Sequence, residues 1–154
     1  MTNAVLIIAH APLAHALRRC ALHVFPDAAA EIAAVDVHPD APPDKTLAVA
    51  RLALARLNRP STLVLTDVFG ATPSNVALRL VDGRRTLLVA GANLPMLLRA
   101  LTYRREPLAE QAALALAGGT QGIVMPVPVA VAVQPQNLQP PAQPTRAVLE
   151  NGVR

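Results

Sequence analysis

Apolar residues in this chain fall into short unbroken runs, separated by stretches where they recur every three or four positions. The first run, Ala4-Val5-Leu6-Ile7-Ile8-Ala9, is rich in branched side chains and holds no polar position. Continuity rather than alternation predicts a strand buried on both faces, the habit of parallel sheets. His10 ends the run, and Pro12 suits the first turn of a helix, where a missing N–H costs nothing. Leu13, Leu17, Cys20 and Val24 follow at helical spacing and predict one apolar face, closed at Pro26-Asp27. Residues 31–37 read as a second strand, and the prolines of His38-Pro39-Asp40-Ala41-Pro42-Pro43 as a loop. A second helix is expected from about Asp44 to Leu57, with Leu47, Leu54 and Leu57 inward and Asn58-Arg59-Pro60 as its stop.

Residues 61–66 make the third strand. The helix after Pro73 carries Val76, Leu78 and Leu80 and is expected to end at Asp82-Gly83. Residues 86–90 make the fourth strand, and Gly91-Ala92-Asn93 turns into a helix capped by Asn93, with Pro95 just inside it. Met96, Leu97, Ala100 and Leu101 form its core face. A last helix is expected from Pro107 to Ala117, stopped by Gly118-Gly119, and Gln121–Met125 leaves room for an antiparallel fifth strand. Four successive β-α units predict an α/β fold: a doubly wound, mostly parallel four-stranded sheet in the order 2-1-3-4, helices on both faces. Past Pro126 the pattern stops. Residues 1–126 are expected to be the domain, and 127–154 a Pro/Gln-rich flexible tail. Pro126 and Pro128 restrict Val127–Val133 to an edge strand at most.

Composition narrows the picture. The chain has 154 residues, 53% hydrophobic but only 2% aromatic, so the core must be built from Ala, Leu and Val. The net charge is +4. Its arginines are scattered rather than clustered, and there is no aromatic platform for single strands, so nucleic acid is not an expected partner. A positive surface suits an acidic protein or a phosphate instead. One cysteine, Cys20, excludes an internal disulfide and points to a reduced compartment. No segment reaches the roughly 20 apolar residues of a membrane span, and a cytoplasmic protein is expected.

The candidate chemistry lies at strand ends. In a doubly wound sheet, ligands bind beyond the carboxyl ends of the strands, where strand order reverses. Strand one ends in His10, strand three in Asp67 and strand four in Asn93. In the order 2-1-3-4, a flavodoxin-like arrangement, His10 and Asp67 become neighbours. A neutral imidazole is a good nucleophile towards phosphorus, and a carboxylate on one ring nitrogen fixes the tautomer and frees the other. Phosphoryl transfer needs alignment and charge stabilisation above all. Helix N-termini after His10 and at Thr72-Pro73 are expected to supply N–H donors. The Thr72 hydroxyl would cap its helix or face the phosphoryl oxygens, and Gly70 would let the backbone approach closely. Asn93 reads first as a cap. His15, His23 and His38 have no evident partner. No His, Cys, Asp or Glu cluster has metal spacing, and no Walker or GxGxxG loop signals a nucleotide; no cofactor is expected.

Three segments carry a family resemblance: Ile7-Ile8-Ala9-His10, Leu65-Thr66-Asp67-Val68-Phe69-Gly70-Ala71-Thr72-Pro73-Ser74-Asn75, and Gly91-Ala92-Asn93-Leu94-Pro95-Met96-Leu97. In order and spacing, over about residues 1–126, the chain resembles the IIA component of the mannose family of the bacterial phosphoenolpyruvate-dependent sugar phosphotransferase system. The resemblance implies a phosphotransferase component in which His10 accepts a phosphoryl group from the phosphocarrier protein HPr and passes it to a IIB protein or domain. It implies Asp67 as the acid that orients His10 and Thr72 as the hydroxyl near the phosphoryl group. Ala11, Phe69, Gly70, Ala71 and Asn93 stand where phosphate or partner contacts would be. It also implies a homodimer able to exchange its last strand, here Gln121–Met125, and a link to the membrane only through transporter components.

This sequence departs from the family pattern at several places. The usual Thr and Gly around the histidine are Ala9 and Ala11, the paired glycines are Gly70-Ala71, and an aromatic before Asn75 is Ser74. Two alternatives follow from these departures and from the lack of a recognisable IIB or membrane domain. One is a regulatory sensor read through its phosphorylation state, or the phosphoryl-carrying subunit of a dihydroxyacetone kinase. The other is a binding module on a flavodoxin-like scaffold with no chemistry, since fold alone does not decide function.

Overall fold

A computed structural model describes residues 1–126. The order of elements is β1 (Ala4–His10), α1 (Leu13–Val24), β2 (Ile32–Val37), α2 (Pro43–Leu57), β3 (Thr62–Thr66), α3 (Thr72–Leu78), β4 (Thr86–Ala90), α4 (Leu94–Thr102) and α5 (Leu108–Gln121). The four strands form one parallel sheet in the order β2-β1-β3-β4. Residues 127–154, which hold the expected tail and the Val127–Val133 edge strand, lie outside the described residues.

The unbroken apolar run of β1 has the meaning its pattern suggests. Val5, Ile7 and Ala9 enter one core layer with Leu17 and Ala21 of α1, Leu97 and Leu101 of α4, and Ala115 of α5. Ala4, Leu6 and Ile8 enter the opposite layer with Leu47 and Ala50 of α2 and Val76 and Ala77 of α3. All six of these residues are fully buried. Each such side chain contributes about 1.5–3 kcal/mol where it is Val, Leu or Ile. These layers fix the register that brings β1 and β3 to the same height.

Four expectations need correction. The buried face of α1 is Ala14, Leu17 and Ala21, while Leu13, Cys20 and Val24 are exposed. Small alanines let α1 sit close to the sheet, so the larger residues turn outward. Leu78 likewise faces solvent, because α3 stops after seven residues and buries Pro73, Ser74, Val76 and Ala77.

The third correction concerns Gly118-Gly119, which do not stop the last helix: α5 runs through them to Gln121. They are there for packing. A Cβ on Gly118 would lie 2.7 Å from Arg99 Cβ, and one on Gly119 2.7 Å from Met96 Cε, so glycine lets α4 and α5 approach. The helix consumes Gln121, and residues 123–126 carry no strand. The fifth strand is therefore absent from the described residues.

Candidate active site

The register Ile8↔Thr66 places the ends of β1 and β3 side by side. Asp67 follows directly and reaches across to His10. Its Oδ2 accepts the His10 backbone N–H at 2.9 Å and lies 2.7 Å from His10 Nδ1. Its Oδ1 accepts the Val68 N–H at 2.8 Å. An ionised carboxylate only accepts, so the ring bond places hydrogen on Nδ1 and leaves the Nε2 lone pair free. The exposures fit that division: the His10 side chain is 50% exposed and Asp67 only 9%. Burial opposes ionisation of Asp67, but the N–H bonds from His10 and Val68 and the His10 ring together outweigh it. The net effect holds its carboxyl below the ordinary value.

A cavity of about 310 Å³ opens beside this pair, lined by His10, Val37, His38, Pro39, Ala41, Pro43 and Thr72. Thr72 is the first residue of α3, yet its hydroxyl caps nothing; the N-cap position is Ala71, with no side-chain cap bond. The Thr72 side chain is thereby left to face the cavity. His38 was not singled out by sequence because nothing near it in the chain pairs with it. What brings it here is β2 lying beside β1, which sets the 38–43 loop over His10.

The loop after β3 is built by local bonds. Gly70 has φ of +87°, which a side chain would strain, and a Cβ there would meet nothing within 4 Å. Its glycine is needed for the turn, not for close approach. Ser74, fully buried, accepts the Gly70 N–H at 2.8 Å and donates to Ala71 O at 3.2 Å. The residue that replaces an aromatic thus ties the turn together. Val68 and Phe69 stay exposed next to Asp67.

Other expected site residues lie elsewhere. Ala11 donates its N–H to Val37 O at 3.0 Å, extending the β1–β2 ladder by one step. Asn93 caps α4 through Oδ1 to the Met96 N–H at 2.9 Å, and its Nδ2 donates to Gly119 O at 3.3 Å. Its amide is occupied in packing and does not line the His10 cavity. The N-terminus of α1 is also partly used. Asp36 of β2 accepts the His15 N–H at 3.2 Å and lies 2.8 Å from the His15 ring Nδ1. His15 therefore does have a partner, one that only the sheet brings near. Among the described residues no group of three His, Cys, Asp or Glu could hold a metal ion.

Comparisons with known proteins identify the family. The family described as the PTS system fructose IIA component matches residues 4–116. The mannose/sorbose specific IIA subunit of the phosphotransferase system from Enterococcus faecalis shares 26% identity and a TM-score of 0.73, over 84% of this chain and 99% of that one. The phosphotransferase component EIIA from Streptococcus agalactiae shares the fold at 20% identity and a TM-score of 0.70, covering 80% and 96% of the two chains. The PTS IIA protein associated with the fucose utilization operon of Streptococcus pneumoniae does so at 18% and 0.71, covering 81% and 93%. No curated protein sequence matches, and among the described residues no helix is long and apolar enough to cross a membrane. With the matched span covering most of the chain and including both His10 and Asp67, this protein belongs to the mannose-type IIA family of phosphotransferase-system components.

Proposed function

We propose that this protein carries a phosphoryl group on His10, accepting it from phospho-HPr and delivering it to a IIB protein or domain. The observation that supports this most is the His10–Asp67 pair, with Nδ1 at 2.7 Å from the carboxylate and the ring half exposed. In the forward step the Nε2 lone pair attacks phosphorus, a P–N bond forms, and the bond from phosphorus to the donor imidazole breaks. The donor leaves with that electron pair. The Nδ1 proton stays on the His10 ring, and the positive charge gained there is balanced by Asp67. Delivery to IIB reverses the sequence with a new acceptor.

Thr72 and His38 line the same cavity as His10, and this reading assigns their hydroxyl and ring N–H to the phosphoryl oxygens. The α3 helix is short and its second position is Pro73, which has no N–H, so side chains carry more of that task than helix ends do. Val68 and Phe69 offer an apolar edge that a docking protein covers.

Incubation with phosphoenolpyruvate, the general relay enzyme and HPr, followed by intact mass analysis, tests the reading. One added phosphoryl group is expected on wild type and none on His10→Ala. Equal labelling of the two, or no label on folded wild type, overturns it.

A further inference from the structure

The His10–Asp67 pair has a counterpart on the other side of β1. Asp36 stands in register with Ala9, one residue short of His10. It holds His15 as Asp67 holds His10, through the backbone N–H and ring Nδ1 together. The His15 side chain is 58% exposed and its Nε2 is free. Capping of α1 explains the backbone bond to Asp36 but not the ring bond.

The surroundings of His15 go further. A cavity of about 360 Å³ runs along the outer edge of β2, walled by His15, Arg18, Arg56, Ala33, Ala34 and Leu57. The volume lies in the range of small-molecule sites. Arg18 is anchored by its Nε, which donates to Ile32 O at 3.0 Å, and this fixes its guanidinium at the cavity. Neither Arg18 nor Arg56 takes part in an ion pair among the described residues. No carboxylate lines the cavity, and Asp36, which meets its wall at His15, is bonded to that ring. The β1 ladder uses Glu31 O and Val37 O, so alternate β2 residues such as Ala34 keep their backbone N–H for the cavity.

We propose that this edge is a second ligand site, distinct from His10, which binds a small phosphate monoester. Two guanidinium forks and the Nε2–H of a protonated His15, whose Nδ1–H is held by Asp36, match three oxygens on one tetrahedral dianion, whereas a planar carboxylate would engage one fork. The alanine and leucine wall takes the carbon part of the ester. A nucleic-acid strand does not fit this description, because no Phe, Tyr or Trp lines the cavity.

The test is calorimetric titration of the full chain with glycerol 3-phosphate, inorganic phosphate and succinate, alongside histidine-ring NMR. Glycerol 3-phosphate is expected to bind in the millimolar range or tighter and to shift the His15 ring resonances while leaving those of His10 in place. His15→Gln and Arg56→Gln should each weaken it by about tenfold or more, the value of one charged hydrogen bond. Phosphorylation of His10 in Arg56→Gln should match wild type, which serves as the folding control and separates this site from the phosphoryl-carrier reading. Absence of heat and of a His15 shift overturns the proposal, as does undiminished binding in both variants. Succinate or inorganic phosphate binding as tightly as the ester overturns the assignment to a monoester.

Discussion

Replacing Asp67 with asparagine changes one atom type and removes one charge, so it isolates what the carboxylate does. Three donors converge on Asp67: the His10 N–H, the His10 ring and the Val68 N–H. Asparagine has one acceptor oxygen. If that oxygen faces His10, the amide NH₂ meets the Val68 N–H, a donor against a donor. If it faces Val68, the NH₂ meets both His10 donors, and the ring must give up its Nδ1 hydrogen. The first arrangement is the cheaper one, since exposed Val68 can find water. The two bonds to His10 then survive as neutral bonds. A bond to a charged group contributes about 1.5–3 kcal/mol and a neutral one about 1, so the stability loss is about 1–3 kcal/mol, little screened because Asp67 is 9% exposed.

The loss in rate comes from a different source. In the proposed transfer the ring becomes cationic as Nε2 attacks phosphorus, and a carboxylate at 2.7 Å would stabilise it more than an amide would. A difference of about 0.5–2 kcal/mol slows phosphorylation roughly 2- to 30-fold. The assay is rapid-quench labelling from phospho-HPr, with urea unfolding of the same preparation. Acid gives a second reading. The carboxyl of Asp67 is lowered from its ordinary 3.8, so its stabilisation is complete above that value and is lost as pH falls through the lower folded-state value. That part of the acid limb should vanish in Asp67→Asn. A variant that loses stability but labels within about twofold of wild type would show that Asp67 only holds the loop.

Three further outcomes follow from the same geometry. His38→Ala should leave unfolding unchanged but slow labelling of His10 by about tenfold, the value of one donor to a phosphoryl oxygen, in single-turnover assays. Gly118→Ala should destabilise by about 1–3 kcal/mol in urea titration, because Arg99 Cβ is not a flexible chain end; without that contact alanine would stabilise a helix by about 1 kcal/mol. Ala9→Thr should cost about 1–3 kcal/mol by burying an unpartnered hydroxyl in the core, and should leave the extent of His10 labelling as it was, read by mass analysis.

The sheet was legible because its signal is local. Uninterrupted runs such as Ala4–Ala9 and Leu63–Leu65 can be buried on both faces only in a parallel sheet, and turn residues between them fix the count of β-α units. The His10–Asp67 pair was legible once strand order was assumed. The parts that were not legible depend on contacts between segments far apart in the chain. His15 and Asp36 are 21 residues apart and His38 lies on a proline loop, so nothing local marks either as part of a site. Gly118-Gly119 carries the same letters as a helix stop and a helix contact, and only the position of α4 separates the two. Gln111, fully buried, is held by Asn3 and by Ala100 O across the fold, a pairing invisible to periodicity.

The substitutions around His10 divide by what each position touches. Ala9 points into the core layer with Ala14 and Met96 and does not line the His10 cavity, so a hydroxyl missing there removes nothing from the proposed phosphoryl site. Ala11 is spent on the ladder to Val37. Ser74 has taken over the turn that positions Gly70. None of the three changes the distance between His10 and Asp67, because that distance is set by the register of two buried strands. The exposed Val68-Phe69 edge and the 38–43 loop are not among these departures, and in the proposed function they form the rim that a docking partner would meet. The fold thus separates two requirements that a phosphoryl carrier must satisfy together. The strand ends hold His10 and Asp67, the proposed nucleophile and its carboxylate, while the loops would be free to vary with the protein that docks on them.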